Sequence, residues 1–496
     1  MAYRSLREWI VKIEEVGQLK RINAEVDWNI ELSAITKRVA KQEGPALLFE
    51  NIKGYQNKTC RQVFMNGMGS RERVAMALGL PMESSYREIT EHAKEKLGQT
   101  INPIIVSSGP VKENIMKGGA VDLYEFPVPK YMELDGGRYI NTRGCLVTMD
   151  PDTKVMNVGM YRGMIGDDKK SIPVLLLRSQ HWGHHYTKYE QQGQEMPVAV
   201  VYGWDPTILV CASTPIVHPG SSEYEVMGGL RGEPVELVKC ETSDLYVPAT
   251  AEIVIEGRIS PNPKDFQMEG PFGEYAGFYG GPAEPRQVIK VDCITYRDNP
   301  IFRGGLNASD PNGLIEVSHW IAPFKSAVVW RALEYCGLEN ILGVWGDPIS
   351  QLANLRVQIR QIYRGQAKQI PAVIWGVSNL GASLGKNIIV VDEDIDVFND
   401  SEVDWAFAYR TNADMDDIQF FKHTRATALD PSIPLWQRDV RKYGAGKNTR
   451  VFIDATVNWD LEPLEQYGGR REPPRCTEFS PEVIELIDRR WHEYGF

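Results

Sequence analysis

Between about residues 118 and 310 the chain is written in short apolar or alternating runs. CLVTM (145–149), PVAVVYG (197–203), AEIVIEG (251–257) and VIKVDCITY (288–296) are separated by glycine, proline and aspartate. Runs this short, rich in valine and isoleucine and bounded by turn formers, have the length of strands and not of helices. They predict a β-rich middle domain, a barrel or a sandwich, to which the flanking segments must be fitted.

The flanks have a different texture. Ser5 and Glu8 have the spacing of a capping box, and Leu6, Trp9, Ile10, Ile13 and Val16 follow at helical spacing up to Gly17, so the chain opens on an amphipathic helix. A mixed helix and strand region continues to about residue 115. After Asn312, helical patterns are read over 314–336 and 348–365, strands over AVIWG (372–376) and NIIVVDED (387–394), and a helix over WAFAYR (405–410). That alternation predicts an α/β domain in the last third.

Charge and cysteine usage narrow the function classes. A chain of 496 residues exceeds what one core serves, so two to four domains are expected, and 43% hydrophobic residues suffice to build them. A formal net charge of -11 opposes broad nucleic-acid or anionic-membrane binding, so any anionic ligand must meet a local basic pocket. Seven cysteines stand singly with no CxxC pair, which suits a reducing compartment. The N-terminal segment has no apolar h-region and no window approaches a membrane span, so a cytoplasmic protein is expected.

The chemistry concentrates in a few stretches. QMEGPFGEYAGF (267–278) sets Glu269 and Glu274 around Gly270, Pro271 and Gly273. Positions five apart share a cavity only if the chain turns between them, and these residues supply a turn. Two acids in one dry site cannot both ionise freely, so one would hold its proton and serve as a general acid; a solvated turn with two surface acids is the other reading. NVGMYRGMIG (157–166) carries Asn157 and Arg162 after a hairpin turn at Asp150-Pro151-Asp152. Arg162 is either a carboxylate-binding group in a pocket or half of a surface ion pair.

SQHWGHHYTKYE (179–190) places His181 and His185 four apart, compatible with one helix face and with metal ligation, but it lacks the glutamate of an HExxH motif. In STPIVHPGSSEYEVMGGLRGEP (213–234) a short helix is expected near Ser221 or Ser222, with Glu223 and Glu225 in its first turn. NLGASLGKNIIVVDEDID (379–396) fails as a phosphate loop, because the glycine spacing is short and Asn387 replaces the hydroxyl residue. Acyl transfer is given little support as a reading of these stretches.

Taken in order, NVGMYR, SQHWGHHY, SEYEVMGGLRG, EGPFGEY and NIIVVDEDID with DWAFAYRT resemble the UbiD family of prenylated-FMN-dependent decarboxylases, from about residue 1 to 460. The resemblance implies an N-terminal α/β domain (1–117), a split β-barrel cofactor domain of flavin-reductase type (118–312), a linker helix (313–345) and a C-terminal α/β oligomerisation domain (346–496). It implies a Glu-Arg-Glu network of Glu269, Arg162 and Glu274 beside the modified flavin. It also implies a divalent metal, commonly Mn2+, held by Asn157, His181 and Glu223 with the cofactor phosphate, and K+ nearby. Met160, Tyr161, Gln180, Ser213, Thr214 and Lys386 fall where similar proteins line the cofactor.

By the same resemblance the reaction is reversible decarboxylation or carboxylation of an aromatic or α,β-unsaturated acid through a covalent adduct with prenylated FMN. Arg162 would hold the carboxylate, Glu274 deliver the proton and Glu269 hold the network. The implied partners are an aromatic acid, CO2, a flavin prenyltransferase as cofactor supplier, and further copies of the chain in a homodimer or homohexamer. Where many relatives carry a Pro-Pro-Met-Glu-type stretch, this chain reads GGLNASDPNGLIE (304–316), a loop expected to border the substrate. A glycosidase using the two glutamates is a competing class, and would need an open sugar cleft. A noncatalytic scaffold is another, and would be expected to lose part of the Glu-Arg-Glu set.

Overall fold

The computed structural model describes residues 3–215, 220–377, 384–425, 427, 429–437, 447–476 and 479–495. Its first helix, α1 (Leu6–Glu15), begins where expected: the Ser5 hydroxyl accepts from the Glu8 N–H. Glu8 Oε2 accepts from the Arg4 N–H, one residue before the position a capping box would use. Leu6, Trp9, Ile10 and Ile13 are buried and Val16 is exposed. Each buried side chain of this size contributes about 1.5–3 kcal/mol.

The middle of the chain is a sheet built from β1 (Asn114–Lys117), β2 (Cys145–Met149), β3 (Met156–Met160), β4 (Ser171–Pro173), β5 (Met196–Tyr202), β6 (Ile253–Ile259) and a later strand, Val288–Tyr296. A hairpin of β7 (Gln267–Glu269) and β8 (Glu284–Arg286) precedes that last strand, which is β9. The pairing order is β1-β9-β6-β5-β2-β3, all antiparallel, with β4 also on β9. Among the described residues the named strands do not close into a ring, β3 and β4 being joined only through the isolated bridge between Gly163 and Val174; it is a β-rich domain without a closed barrel of regular strands.

The near-continuous apolar runs have a physical reason. Cys145, Val147, Ala199 and Val201 belong to one core, whereas Leu146, Val198 and Val200, which alternate with them, belong to a second. The sheet is buried on both faces, and a strand buried on both faces needs no polar alternation. The first core takes in α1 and the second takes in Trp182 and Tyr186 of α2 (His181–Gln191).

Three further helices matter to the site. They are α3 (Thr207–Ser213), α4 (Glu223–Arg231), capped by Ser222 and ended by Gly232 at φ +74°, and α5 (Glu316–Tyr335). Glu316, at the start of α5, is buried between Arg303 and Arg143 and accepts from the Met68 N–H at 3.0 Å. This joint ties the N-terminal four-stranded sheet, to which Arg303 belongs, to the central sheet and the long helix.

The C-terminal sheet runs Ile341–Gly346, Asn354–Ile359, Asn387–Asp392, Lys447–Ala455, Ile418–Arg425, with parallel pairing at its centre. Two expectations are corrected here. Within 348–365 the structure has a strand, because Leu355, Val357 and Ile359 are buried at a period of two. AVIWG lies in a helix, Gln369–Gly376, a short apolar run that periodicity alone does not assign. The strand at Asn387 and the helix Asp400–Arg410 are found as read. No helix among the described residues is long and apolar enough to cross a membrane.

One buried base makes stability pH-dependent. His319 Nδ1 lies 2.8 Å from the Tyr86 hydroxyl, and burial, reinforced by the charge of Arg73, pushes its pKa down to about 3. The unfolded chain takes up this proton near pH 6.5 and the folded chain does not, so stability is lost as pH falls below that value. Chemical denaturation at pH 6.5 and 5 should show about 2 kcal/mol more loss in the wild type than in His319→Gln. Equal slopes would refute this.

Candidate active site

The turn between the two glutamates is real, and both acids point inward. Glu269 ends β7; Gly270 follows at φ +101°, a conformation only glycine adopts without strain. The chain then doubles back: the Glu274 N–H donates to Phe278 O at 2.9 Å and the Gly280 N–H to Phe272 O at 3.0 Å. Arg162, two residues beyond β3, lies between the acids, with Nη2 donating to Glu269 Oε2 at 2.8 Å and Nη1 to Glu274 Oε1. Side-chain exposures of 0% for Glu269, 8% for Glu274 and 10% for Arg162 exclude a solvated turn and a surface ion pair.

The electrostatics of this triad are uneven. Burial pushes the Glu274 carboxyl up, and the hydrogen-bonded Arg162 does not fully cancel the shift. Burial also opposes the charge on Arg162, but the two carboxylates outweigh it and hold the guanidinium firmly protonated. Arg162 Nε is buried with no hydrogen-bond partner among the described residues, so the clamp retains a free donor for an incoming acceptor.

A segment not singled out from the sequence holds this turn. In Asp135-Gly-Gly-Arg-Tyr139 the Tyr139 hydroxyl lies 2.8 Å from Glu269 Oε1 and 3.1 Å from Pro271 O. The Gly136 N–H donates to Pro271 O at 2.8 Å, and Asp135 Oδ1 accepts from the Gly273 N–H at 2.9 Å. A Cβ on Gly136 would stand 2.0 Å from Gly270 O, so only glycine permits this approach. The sequence signal was present as an Asp-Gly-Gly turn followed by an aromatic residue, but nothing local says that a distant acid is its partner. The divergent loop also reaches the site: Ser309 O lies against Gly277, and Ala308 against Gly273.

The other candidates form a second cluster. Asn157 is on β3, His181 opens α2 and Glu223 opens α4. His181 Nδ1 lies 3.2 Å from Asn157 Oδ1, and Glu223 Oε2 accepts from the Val158 N–H at 2.7 Å. Burial pushes the Glu223 carboxyl up to about 8. A buried acid, a histidine and a carboxamide gathered on β3 suit a hard cation shared with an anion. Among the described residues no three His, Cys, Asp or Glu side chains converge; the set depends on Asn157. Thr214 adds a buried hydroxyl oxygen without a partner among the described residues.

The remaining candidates are already engaged. Gln180 caps α2 and accepts from Trp182 Nε1. Ser213 donates to Leu209 O and accepts from Trp320 Nε1. Met160 ends β3 against the first core, and the Tyr161 ring stacks on Trp182 at 4.3 Å. Lys386 Nζ is held by Asp430 at 2.9 Å and Ser432 at 2.8 Å, partners that a phosphate would have to replace.

Fold and site together define a carboxy-lyase class. Residues 10–93, 104–309 and 321–455 match the models of the N-terminal, Rift-related and C-terminal domains of 3-octaprenyl-4-hydroxybenzoate carboxy-lyase. The chain is 32% identical to an uncharacterized protein of Archaeoglobus fulgidus, covering 99% of each. It also resembles the closed form of vanillic acid decarboxylase from Sedimentibacter hydroxybenzoicus, at 28% identity, with all of both chains covered and a TM-score of 0.87. The UbiD-class enzyme HmfF from Pelotomaculum thermopropionicum, solved in complex with FMN, is 31% identical over 98% of this chain and 99% of its own, with a TM-score of 0.79. The chain belongs to the UbiD family of carboxy-lyases.

Proposed function

We propose that this chain catalyses reversible, non-oxidative decarboxylation of an aromatic or α,β-unsaturated carboxylic acid on prenylated FMN. The observation that carries the reading is the buried Glu269–Arg162–Glu274 clamp with its free Arg162 Nε. The relatives support it by what they are: a vanillic acid decarboxylase and a UbiD-class enzyme solved with FMN and, in an evolved form, with prFMN.

In this reading Arg162 receives the substrate carboxylate and orients the bond to be broken, a bidentate task suited to a guanidinium. When bound, prenylated FMN supplies the electron sink for the pair left on carbon as CO2 departs. Glu274, whose burial favours the protonated form, gives its proton to that carbon and is reprotonated from solvent. Glu269 holds Arg162 in place. Running in reverse, the Glu274 carboxylate accepts the ring proton, so CO2 supply decides the net direction.

Asn157, His181 and Glu223 would hold a divalent cation, Mn2+ in our reading, together with the flavin phosphate, with K+ nearby and Thr214 contributing its unpartnered hydroxyl. The central sheet, which begins at Asn114 rather than 118 and does not include the strand Ile301–Arg303, would serve as the split-barrel cofactor domain, joined by α5 (Glu316–Tyr335), a shorter helix than the 313–345 linker expected, to a C-terminal domain that assembles a homodimer or homohexamer.

Co-expression with a flavin prenyltransferase should yield a coloured protein whose released cofactor has the mass of prenylated FMN. That protein should release CO2 from at least one member of a panel of benzoates, heteroaromatic acids and cinnamate-type acids. A protein that takes up neither flavin nor divalent metal overturns the reading.

A further inference from the structure

Two segments brace the turn that carries Glu274. One is 135–139, which grips it through Asp135 and Gly136. The other is the divergent loop, which meets the turn at the two glycines that bracket the acid. A Cβ on Gly277 would stand 2.6 Å from Ser309 O, and one on Gly273 would stand 3.7 Å from the Ala308 methyl. The returning leg closes on the acid itself: a Cβ on Gly280 would stand 2.9 Å from Arg162 Nη1 and 2.9 Å from Glu274 Cγ. Packing this close passes a displacement of the loop on to Glu274.

The loop has no strand or helix of its own to keep it there. It leaves the strand Ile301–Arg303 and enters α5 at Glu316. Its first part is fastened by Arg143, whose Nη2 donates to Leu306 O at 2.9 Å and whose Nη1 donates to Asn307 Oδ1 at 2.6 Å. Its tip is fastened by charge. Lys41, the C-cap of the helix Glu31–Ala40, puts Nζ 2.6 Å from Asp310 Oδ2, and Lys37 in the last turn of that helix puts Nζ 3.7 Å from the same oxygen. Asp310 Oδ1 accepts from the Asn312 N–H at 2.9 Å and its carbonyl from the Gly313 N–H at 3.2 Å, so the loop's own turn aims the carboxylate at the lysines. A Cβ on Gly313 would stand 3.2 Å from Lys41 Cγ, which places the loop directly on the lysine stem.

We propose that Lys41, Lys37 and Asp310 form a latch between the N-terminal region and the divergent loop, and that Asp310 is a positioning residue: through Ala308 and Ser309 it holds the turn on which Glu274 stands against Arg162. This deepens the decarboxylase reading and rests on it. The bond from Lys41, helped by the Asn312 N–H, holds the Asp310 carboxyl down to about 2, so Asp310 stays charged wherever turnover is measured. The latch is partly exposed, and pairs of that kind tune a conformation without deciding whether a chain folds.

Asp310→Asn keeps the size of the side chain and its bond from Asn312 and removes the charge. In the flavin-loaded enzyme flavin content should match the wild type, and kcat should fall about two- to fivefold, the range a partly exposed ion pair spans, with KM changed less than about twofold. Asp310→Lys brings three ammonium groups together and should lower kcat at least about tenfold. Adding Lys41→Glu to Asp310→Lys should return kcat to within about threefold of the wild type, because the pair is restored with its charges exchanged. A merely structural role for Asp310 would not be rescued by reversing both charges.

A second readout needs neither cofactor nor turnover. The Glu274 and Gly280 amides donate to Phe278 O and Phe272 O, and their hydrogen exchange reports the closed turn. Both should exchange at least about threefold faster in Asp310→Lys and return to the wild-type rate in the charge-exchanged pair. A double variant no better than Asp310→Lys, or unchanged exchange in the turn, overturns the proposal. Should Asp310→Lys fail to fold, wild-type kcat together with wild-type exchange in Asp310→Asn overturns it instead. If the wild type binds no flavin and turns over no acid, the decarboxylase reading fails, and the exchange arm still decides the latch.

Discussion

Glu274→Gln is expected to abolish turnover, by a factor of about 10²–10⁴, while the protein still takes up flavin and metal. Glutamine fills the same volume and its amide oxygen can accept from Arg162 Nη1 as the carboxylate does, so the turn and the clamp should survive. What it cannot do is deliver a proton to carbon. The pH dependence of the wild type follows from the same group. Burial raises the Glu274 carboxyl, the donor form exists below that raised value, and decarboxylation should therefore fade as pH rises through it. The test is kcat for a turned-over acid across pH, with flavin absorbance recorded on the same samples. Glu274→Gln with near-wild-type kcat would reassign the acid, most directly to Glu269. A variant that had lost its flavin would point to a structural task in place of proton delivery.

The parts of this site that were legible in the sequence are those in which chemistry is local. EGPFGEY has turn formers between two acids, and that pattern alone requires the acids to converge or to be wasted on solvent. Ser222 before Glu223 reads as a helix start because an N-cap hydroxyl and first-turn acids are short-range devices. The strands of the central sheet were legible because burial on both faces leaves uninterrupted apolar runs.

The parts that were not legible are set by distant partners. Tyr139 and Glu269 are far apart in sequence, and no local property of DGGRY states that its phenol faces a carboxylate. LRVQI and AVIWG exchange roles against expectation because a short apolar run is compatible with either element. The sheet that receives Asn354–Ile359 includes the strand Lys447–Ala455, which is not nearby in the chain. Lys386 could be placed near a phosphate by resemblance, yet its ion pair with Asp430 comes from a segment that the sequence does not connect to it. Resemblance carries the roles; the structure adds which of those side chains are already engaged.

Glu223→Gln should have the opposite signature to Glu274→Gln: loss of metal and flavin together, and loss of activity as a consequence. Glu223 opens α4, is buried, and lends one oxygen to the Val158 N–H. In the proposed metal site the other oxygen would be the anionic donor of the Asn157, His181 and Glu223 set. Glutamine keeps an acceptor for Val158, so the fold should be retained. It removes the one negative charge of the set, and a hard divalent cation depends on that charge more than on the neutral donors. The apo-protein should be no less stable than the wild type, because an acid that burial pushes up to about 8 gives the fold little that a neutral amide does not. Metal content by mass spectrometry should fall at least about tenfold after desalting, the lower end of what disturbing even a supporting partner of a metal ligand costs. Flavin absorbance should fall with it, since in the proposed site phosphate and cation would be held together. Adding Mn2+ in excess should restore part of the flavin uptake in Glu223→Gln and none of the activity in Glu274→Gln, which separates holding the cofactor from using it. Full metal and flavin in Glu223→Gln would remove Glu223 from the ligand set and leave Asn157 and His181 without an anionic partner.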